Sequence, residues 1–439
     1  MPLTIEQISG LAPDASALAS AKKLASPGTW SGLGQSSEAL WGECKGSALY
    51  QVRVSLVDFA SKCSCPSRKF PCKHALGLML LAVNAGGVPA VTAPDWVGEW
   101  LAKRAESAQR KQERAARADA PPDAAAQAKR ARKRAGRIQQ GLDALDLWMN
   151  DLIRNGLATH DEQGGDAFEE QAARLVDAQA PGLAARLRQI ARVPRSQPEW
   201  AARVLEELGL LALITHAARR LEQLPEPLAD DVRGALGLTL DKDEVVSSGD
   251  LVDDTWAVIG QVVDDTERIR LQRTWLRGLG CKRDALVLQF AAGSAPFADV
   301  LVPGTSFPCT LAFWPGAAPL RALVHGERGE TRALEAPLPA RMEVADFLAS
   351  FASLLARQPW LEHGPCALTG VVPVVEGDAW SIVDTKGDAL ALVGRSHWVL
   401  HALSGGNPLD LFAEWDGRKL TPLGTMVAGR FHVLAKELP

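Results

Sequence analysis

One short stretch constrains this chain more than any other: Cys63-Ser-Cys65-Pro-Ser-Arg-Lys-Phe-Pro-Cys72-Lys-His74. Three cysteines and one histidine in twelve residues make one complete tetrahedral donor set for zinc. A thiolate-rich set selects zinc over hard ions such as calcium or magnesium. Cys63 and Cys65 are two apart, so in an extended strand both sulfurs face one side. Cys72 and His74 repeat that spacing just ahead of the apolar run from Ala75 to Val83. That run reads as a buried helix, with Cys72 in the turn leading into it and His74 in its first turn. The expected unit is two strands, a six-residue loop and a helix, closed on one structural zinc. Upstream, Tyr50, Val52, Val54 and Leu56 alternate, as in an antiparallel strand with one buried face. Cys44 is the rival ligand; nothing pairs it at ligand spacing, and it reads as a small buried apolar residue. A disulfide is disfavoured, because the start Met1-Pro-Leu-Thr-Ile-Glu is not that of a secretory signal and cytosolic thiols stay reduced.

These residues resemble the SWIM zinc-finger family, whose motif is C-x-C-x(n)-C-x-H; here n is six and all four ligand positions match. The resemblance implies a strand-strand-helix finger with Cys63, Cys65, Cys72 and His74 on the metal. It covers about residues 40 to 85. The longer layout is similar to bacterial SWIM zinc-finger proteins. It has a lead-in with Trp30-Ser-Gly-Leu-Gly34 and Trp41-Gly-Glu-Cys44, then the finger, a basic linker and a long C-terminal part. The family is associated with DNA-binding, protein–protein and ubiquitin-pathway proteins, so the resemblance implies the metal more narrowly than the partner.

Charge is unevenly placed. The whole chain carries −4, which gives no global drive toward nucleic acid. Between Lys103 and Arg137, however, 12 Lys/Arg face 4 Asp/Glu, a net of +8 that leaves −12 for the remainder. This segment reads as a charged helix or tether joining two domains, and the competing reading is an arm for phosphate backbones. It contains no aromatic residue, so base stacking is absent and only weak, unselective nucleic-acid binding is expected. Lys62, Arg68, Lys69 and Lys73 around the ligands read first as charge compensation for the thiolates.

With 439 residues and 47% apolar content, several domains with real cores are expected. The fold class read from the pattern is α+β and multidomain. Residues 1–100 form the finger domain, 101–137 the basic linker, 138–237 a helical bundle and 238–439 a β-rich region. Leu142, Leu145, Met149 and Leu152 set the first bundle face. Leu175, Val176, Leu183, Leu187 and Ile190 continue it, and Val204, Leu205, Leu208, Leu211 and Leu213 mark a third helix. In the β-rich part Leu286, Leu288 and Phe290 alternate, and Asp416-Gly417 and Ala428-Gly429 mark hairpin turns. Asp253-Asp254 and Asp264-Asp265 read as solvated pairs at strand ends. Trp256, Trp275, Trp314, Trp380, Trp398 and Trp415 read as core.

No phosphate-binding loop, nucleophile elbow or H-E-x-x-H motif is present. The sequence therefore reads as a cytoplasmic, non-enzymatic, zinc-binding scaffold with protein partners. It offers no small-molecule substrate site and no apolar run of the roughly 18 residues needed to enter a membrane. DNA or RNA binding through the finger and the basic linker is the alternative.

Overall fold

The computed structural model describes residues 4–13, 15–46, 48–67, 69–84, 87–117, 124–157, 166–193, 199–238, 240–265, 269–293, 295–335 and 337–434. Arg68, and residues 118–123 in the middle of the basic segment, lie outside the described residues.

The chain opens with helices α1 (Ile5–Gly10) and α2 (Ala15–Leu24). An antiparallel sheet follows, with strands β1 (Trp30–Gln35), β2 (Ala39–Lys45), β3 (Leu49–Ser55) and β4 (Ser61–Cys63) in sequence order. Helix α3 (Lys73–Val83) is buried continuously from His74 to Leu81. It is apolar on every side because it lies between that sheet and α1–α2, and a helix enclosed in this way needs no polar face. The finger thus has four strands, not the two expected, and a core of its own.

Helix α4 (Asp95–Arg117) starts against the far side of the sheet, where Val97 and Trp100 pack on Ala39 and Trp41 and the Arg53 guanidinium lies over Trp96. Helix α5 (Ala124–Asn155) runs without a break from the basic segment into the bundle. It packs with α6 (Asp166–Asp177), α7 (Pro181–Ala191), α8 (Trp200–Arg219) and α9 (Glu226–Leu236) around Leu145, Leu175, Leu187 and Leu211. Leu205, Leu213 and Val176, expected on inner faces, are instead exposed.

After the short α10 (Lys242–Ser248), the β-rich part consists of two barrels. Barrel one comprises β5 (Asp250–Asp265), β6 (Ile269–Gly278), β7 (Asp284–Ala292), β8 (Thr305–Phe313) and β9 (Arg321–His325). The meander β5-β6-β7 is closed by β9, parallel to β7 and antiparallel to β8, while β8 returns to β5. The short β10 (Arg332–Ala333) extends β8. Helix α11 (Val344–Arg357) then leads into barrel two. This comprises β11 (Gly364–Glu376), β12 (Ala379–Val383), β13 (Ala389–Ala391), helix α12 (Trp398–Ser404), β14 (Leu409–Trp415) and β15 (Leu420–Val427), with β16 (Arg430–Val433) added beside β15. Its neighbours follow the same order, first-second-third-fifth-fourth, and the parallel bridge Leu392–Leu420 closes it. Each first strand is long and broken by an irregularity, at Val258/Gly260 in β5 and Leu368/Val371 in β11. Those bends let one strand serve both sides of a closed barrel.

The barrels dock through their outer faces. A Cβ on Gly260 would sit 2.3 Å from the Cβ of Leu423, so only glycine permits this approach. Glu414 of barrel two, 3% exposed, accepts from Arg273 Nε at 3.0 Å, Arg273 Nη2 at 2.9 Å and Trp275 Nε1 at 2.8 Å. Burial works against the Glu414 charge, but the Arg273 hydrogen bonds outweigh it and hold the carboxyl below its ordinary value. Asp264, at the end of β5 with its side chain 43% exposed, also pairs with Arg273. Asp254 likewise accepts from the backbone N–H groups of Gly280 and Cys281.

All modules are stitched together. Gln7 Nε2 donates to Gly304 O at 2.8 Å, and Val302 enters the finger core. Trp360 enters the bundle core, where Arg186 donates to its carbonyl at 2.8 Å and pairs with Glu362 at 2.7 Å. Asp231 of α9 accepts from Ala317 N of barrel one at 2.8 Å.

Candidate metal centre

The finger positions its four donors from three pieces of backbone. Cys63 ends β4, whose partner residue on β3 is Val52. Cys65 lies just beyond the strand, so the expected i, i+2 pair within one strand is replaced by a strand end and the bend after it. That bend is clamped: Ser64 N donates to Gln51 O at 3.0 Å and Gln51 N donates to Ser64 Oγ at 2.9 Å. Cys72 is the N-cap of α3 and His74 sits in its first turn, as the spacing indicates.

These four residues come together. One ligand atom from each of Cys63, Cys65, Cys72 and His74 lies within 4.8 Å of the others. Cys63 Sγ is 3.7 Å from His74 Nδ1. A tetrahedral zinc with ordinary bond lengths sets sulfur–sulfur edges of about 3.8 Å and sulfur–nitrogen edges of about 3.6 Å. The donor set therefore fits zinc in size and in chemistry, and Nδ1 is the nitrogen facing the sulfurs. Cys72 is 2% and His74 5% exposed, while Cys63 and Cys65 lie half-buried at the mouth. Cys44 is fully buried among apolar side chains and stands outside the donor set.

The acid–base chemistry prepares the site for a cation. The hydrogen bond from Cys63 pulls the Cys72 thiol down to about 4, aided by His74 and by backbone N–H groups at the start of α3. The same bond drives Cys63 upward, and burial raises Cys65. Cys72 also sits at a helix N-terminus, where the macrodipole favours negative charge. A bound zinc would hold all three sulfurs as thiolates, their protons going to solvent.

Residues 50–82 match the family model described as the SWIM zinc finger. The chain carries a SWIM zinc finger. Residues 133–236 match a second model, the SWIM-associated four-helix bundle domain, which covers α6 to α9 and most of α5. No curated protein and no solved structure matches the chain. The SWIM site holds one structural zinc, with four protein donors filling its tetrahedron.

Around the site, Lys62, Lys69 and Lys73 are exposed. Sequence reasoning missed the support beneath the ligands. The Tyr50 ring lies 5.0 Å from the His74 ring, and the Gln51–Ser64 clamp fixes the cysteine bend. Tyr50 was visible as a member of the β3 alternation. The clamp has no signal in spacing, because it pairs a residue of β3 with one in the bend beyond β4.

Proposed function

We propose that this chain is a non-enzymatic, cytoplasmic scaffold, stabilised by its SWIM zinc, whose partners are proteins. The observation that carries this reading is the outer face of α8. Leu205 and Leu213, 51% and 43% exposed, flank Gly209, which has open space where a Cβ would project. Ala201, Leu205, Gly209 and Leu213 recur about one helical turn apart on this exposed face, and an apolar stripe open to solvent is suited to another protein surface. Four protein donors leave no coordination position for a reacting water, which supports a structural metal. In five-stranded Greek-key barrels that bind oligonucleotides, the ligand lies across the second and third strands. In barrel one that face is largely taken up by barrel two, with Trp275 and Arg277 4% exposed or less.

The exposed run Arg132, Lys133, Arg134 and Arg137 favours nucleic acid as a second reading. Recovery of partners from native lysate, with and without nuclease, separates the two. Partners that survive nuclease and are lost from Leu205→Asp/Leu213→Asp support the protein reading. Nuclease-sensitive recovery overturns it and puts the cationic run first.

A further inference from the structure

Helix α8 carries on its open face a pattern that is the same in both directions. Gly209 is its centre, with Leu205 four residues before it and Leu213 four residues after. At about 100° per residue the two leucines lie about 40° to either side of Gly209, and about 6 Å before and after it along the axis. All three residues are exposed, and the open space at Gly209 leaves a notch between the leucines.

The charges around this face fall into two groups. Those on its flanks are neutralised inside the chain. Glu206 pairs with Arg418 of barrel two, Glu207 faces Arg186 at 4.0 Å, and Arg219 pairs with Asp143 and Asp146 of α5. Those at its ends are not. Glu199, the N-cap, and Arg220, the C-cap, are exposed and make no ion pair among the described residues. Glu199 stands ten residues before Gly209 and Arg220 eleven after it. That is about 15–17 Å along the axis in each direction. One end of the face is anionic and the other cationic, at matching distances from an apolar centre.

The surface that complements such a face is the same face turned end for end. Two identical chains that close on each other meet through a two-fold axis, so the shared patch must complement itself. Antiparallel α8 helices crossing at Gly209 bring Leu213 of each copy level with Leu205 of the other, on opposite sides of the seam. The four leucines then interlock over the two glycines, which let the helices approach closely. The same turn sets each Glu199 beside the other copy's Arg220 and opposes the two helix dipoles.

We propose that the open face of α8 is the seam of a homodimer, in which two α8 helices cross antiparallel at Gly209. The proposal rests on the protein-partner reading and names the partner as a second copy of this chain. A seam of one helix from each copy buries less than the about 1,600 Å² of a standard interface, so association in the micromolar range is expected.

The test is sedimentation equilibrium of the full-length zinc-loaded chain from about 1 to about 200 μM. A reversible monomer–dimer equilibrium is expected. Gly209→Lys places its side chain in open space within its own chain, so it should keep the fold and the zinc content. It should weaken dimerisation at least about tenfold, because it sits at the centre of the seam. Arg220→Glu turns two attractive pairs per dimer into two repulsive ones and should weaken dimerisation about tenfold at low ionic strength. Glu199→Arg/Arg220→Glu should restore it, since both partners of each pair are then reversed. A chain that is monomeric throughout the range overturns the proposal, as do Gly209→Lys dimers as tight as those of the parent. A double reversal no tighter than Arg220→Glu alone overturns the antiparallel seam. If a monomeric chain still recovers nuclease-resistant partners that Leu205→Asp/Leu213→Asp loses, the second-copy proposal fails while the protein reading stands.

Discussion

Replacing Cys65 by alanine should weaken zinc binding roughly 10²–10³-fold without dismantling the finger. Structural zinc sites contribute roughly 10–16 kcal/mol of apparent binding free energy. One ligand of four therefore accounts for about 3–4 kcal/mol, a loss of affinity of roughly 10²–10³-fold. Against this stands the finger's own core. Leu76, Leu78, Met79, Leu80 and Leu81 of α3 are at most 4% exposed. At about 1.5–3 kcal/mol each they represent roughly 7–15 kcal/mol of gross burial, comparable to the metal. Loss of zinc should thus loosen β4, the bend after it and the first turn of α3, while β1–β3 and the rest of α3 stay packed. Hydrogen exchange with zinc quantification by native mass spectrometry measures both. Zinc retained at parental affinity refutes the ligand set. Uniform loss of protection across Trp30–Val83 refutes the claim of an independent core.

Two further outcomes follow from buried charge. Burial pushes the Asp231 carboxyl up to about 6 from 3.8. The folded state then holds a proton that the unfolded chain has released, so stability falls as pH rises from about 4 to about 6. Asp231→Asn should lack that fall, which amounts to roughly 1–2 kcal/mol after allowance for partial exposure, in urea unfolding across that window; identical pH profiles contradict it. Glu414→Ala leaves Arg273 with Asp264 alone and strands the Trp275 indole N–H; it should cost about 3 kcal/mol, whereas Arg273→Met/Glu414→Met should recover part of it. A single variant within about 1 kcal/mol of the parent in urea unfolding shows the inter-barrel contact to be dispensable.

The metal site was legible because its information is local: four ligands in twelve residues, with the helix that carries the last of them following directly. Helix α8 was equally legible from local pattern, since Val204, Leu208 and Leu211 recur at helical spacing along its buried side. What failed was the assignment of faces. Leu286, Leu288 and Phe290 alternate, yet the interior of barrel one receives Ala285 and Val287, and Phe290 is 61% exposed. A small barrel leaves little room inside, and its outer face can be equally apolar where a second module docks. Period alone does not distinguish the two. The strand pattern fits an antiparallel barrel and an α+β sheet alike, because closure pairs β5 with β8 and β7 with β9, across intervening chain that leaves no periodic trace. Trp256, Trp275, Trp380 and Trp415 are core as expected, whereas Trp398 is 58% exposed.

The docking of the two barrels imposes a schedule on synthesis. Barrel one can seal only when β9 emerges to join β7 and β8, and until then both edges of its sheet are open to mispairing. Its outer face waits longer, because the carboxylate that pairs with Arg273 and Trp275 is Glu414, about 90 residues downstream. At ribosomal speeds that interval lasts roughly 5–20 s. During it, a sealed barrel one displays an uncovered Trp275 and the apolar side chains of Ile259 and Val262 to the surrounding cell. The finger and the bundle precede it on the chain and can complete their own cores by then. The vulnerable period in the life of this protein is therefore the gap between its two barrels, and a message broken between them releases its most adhesive product.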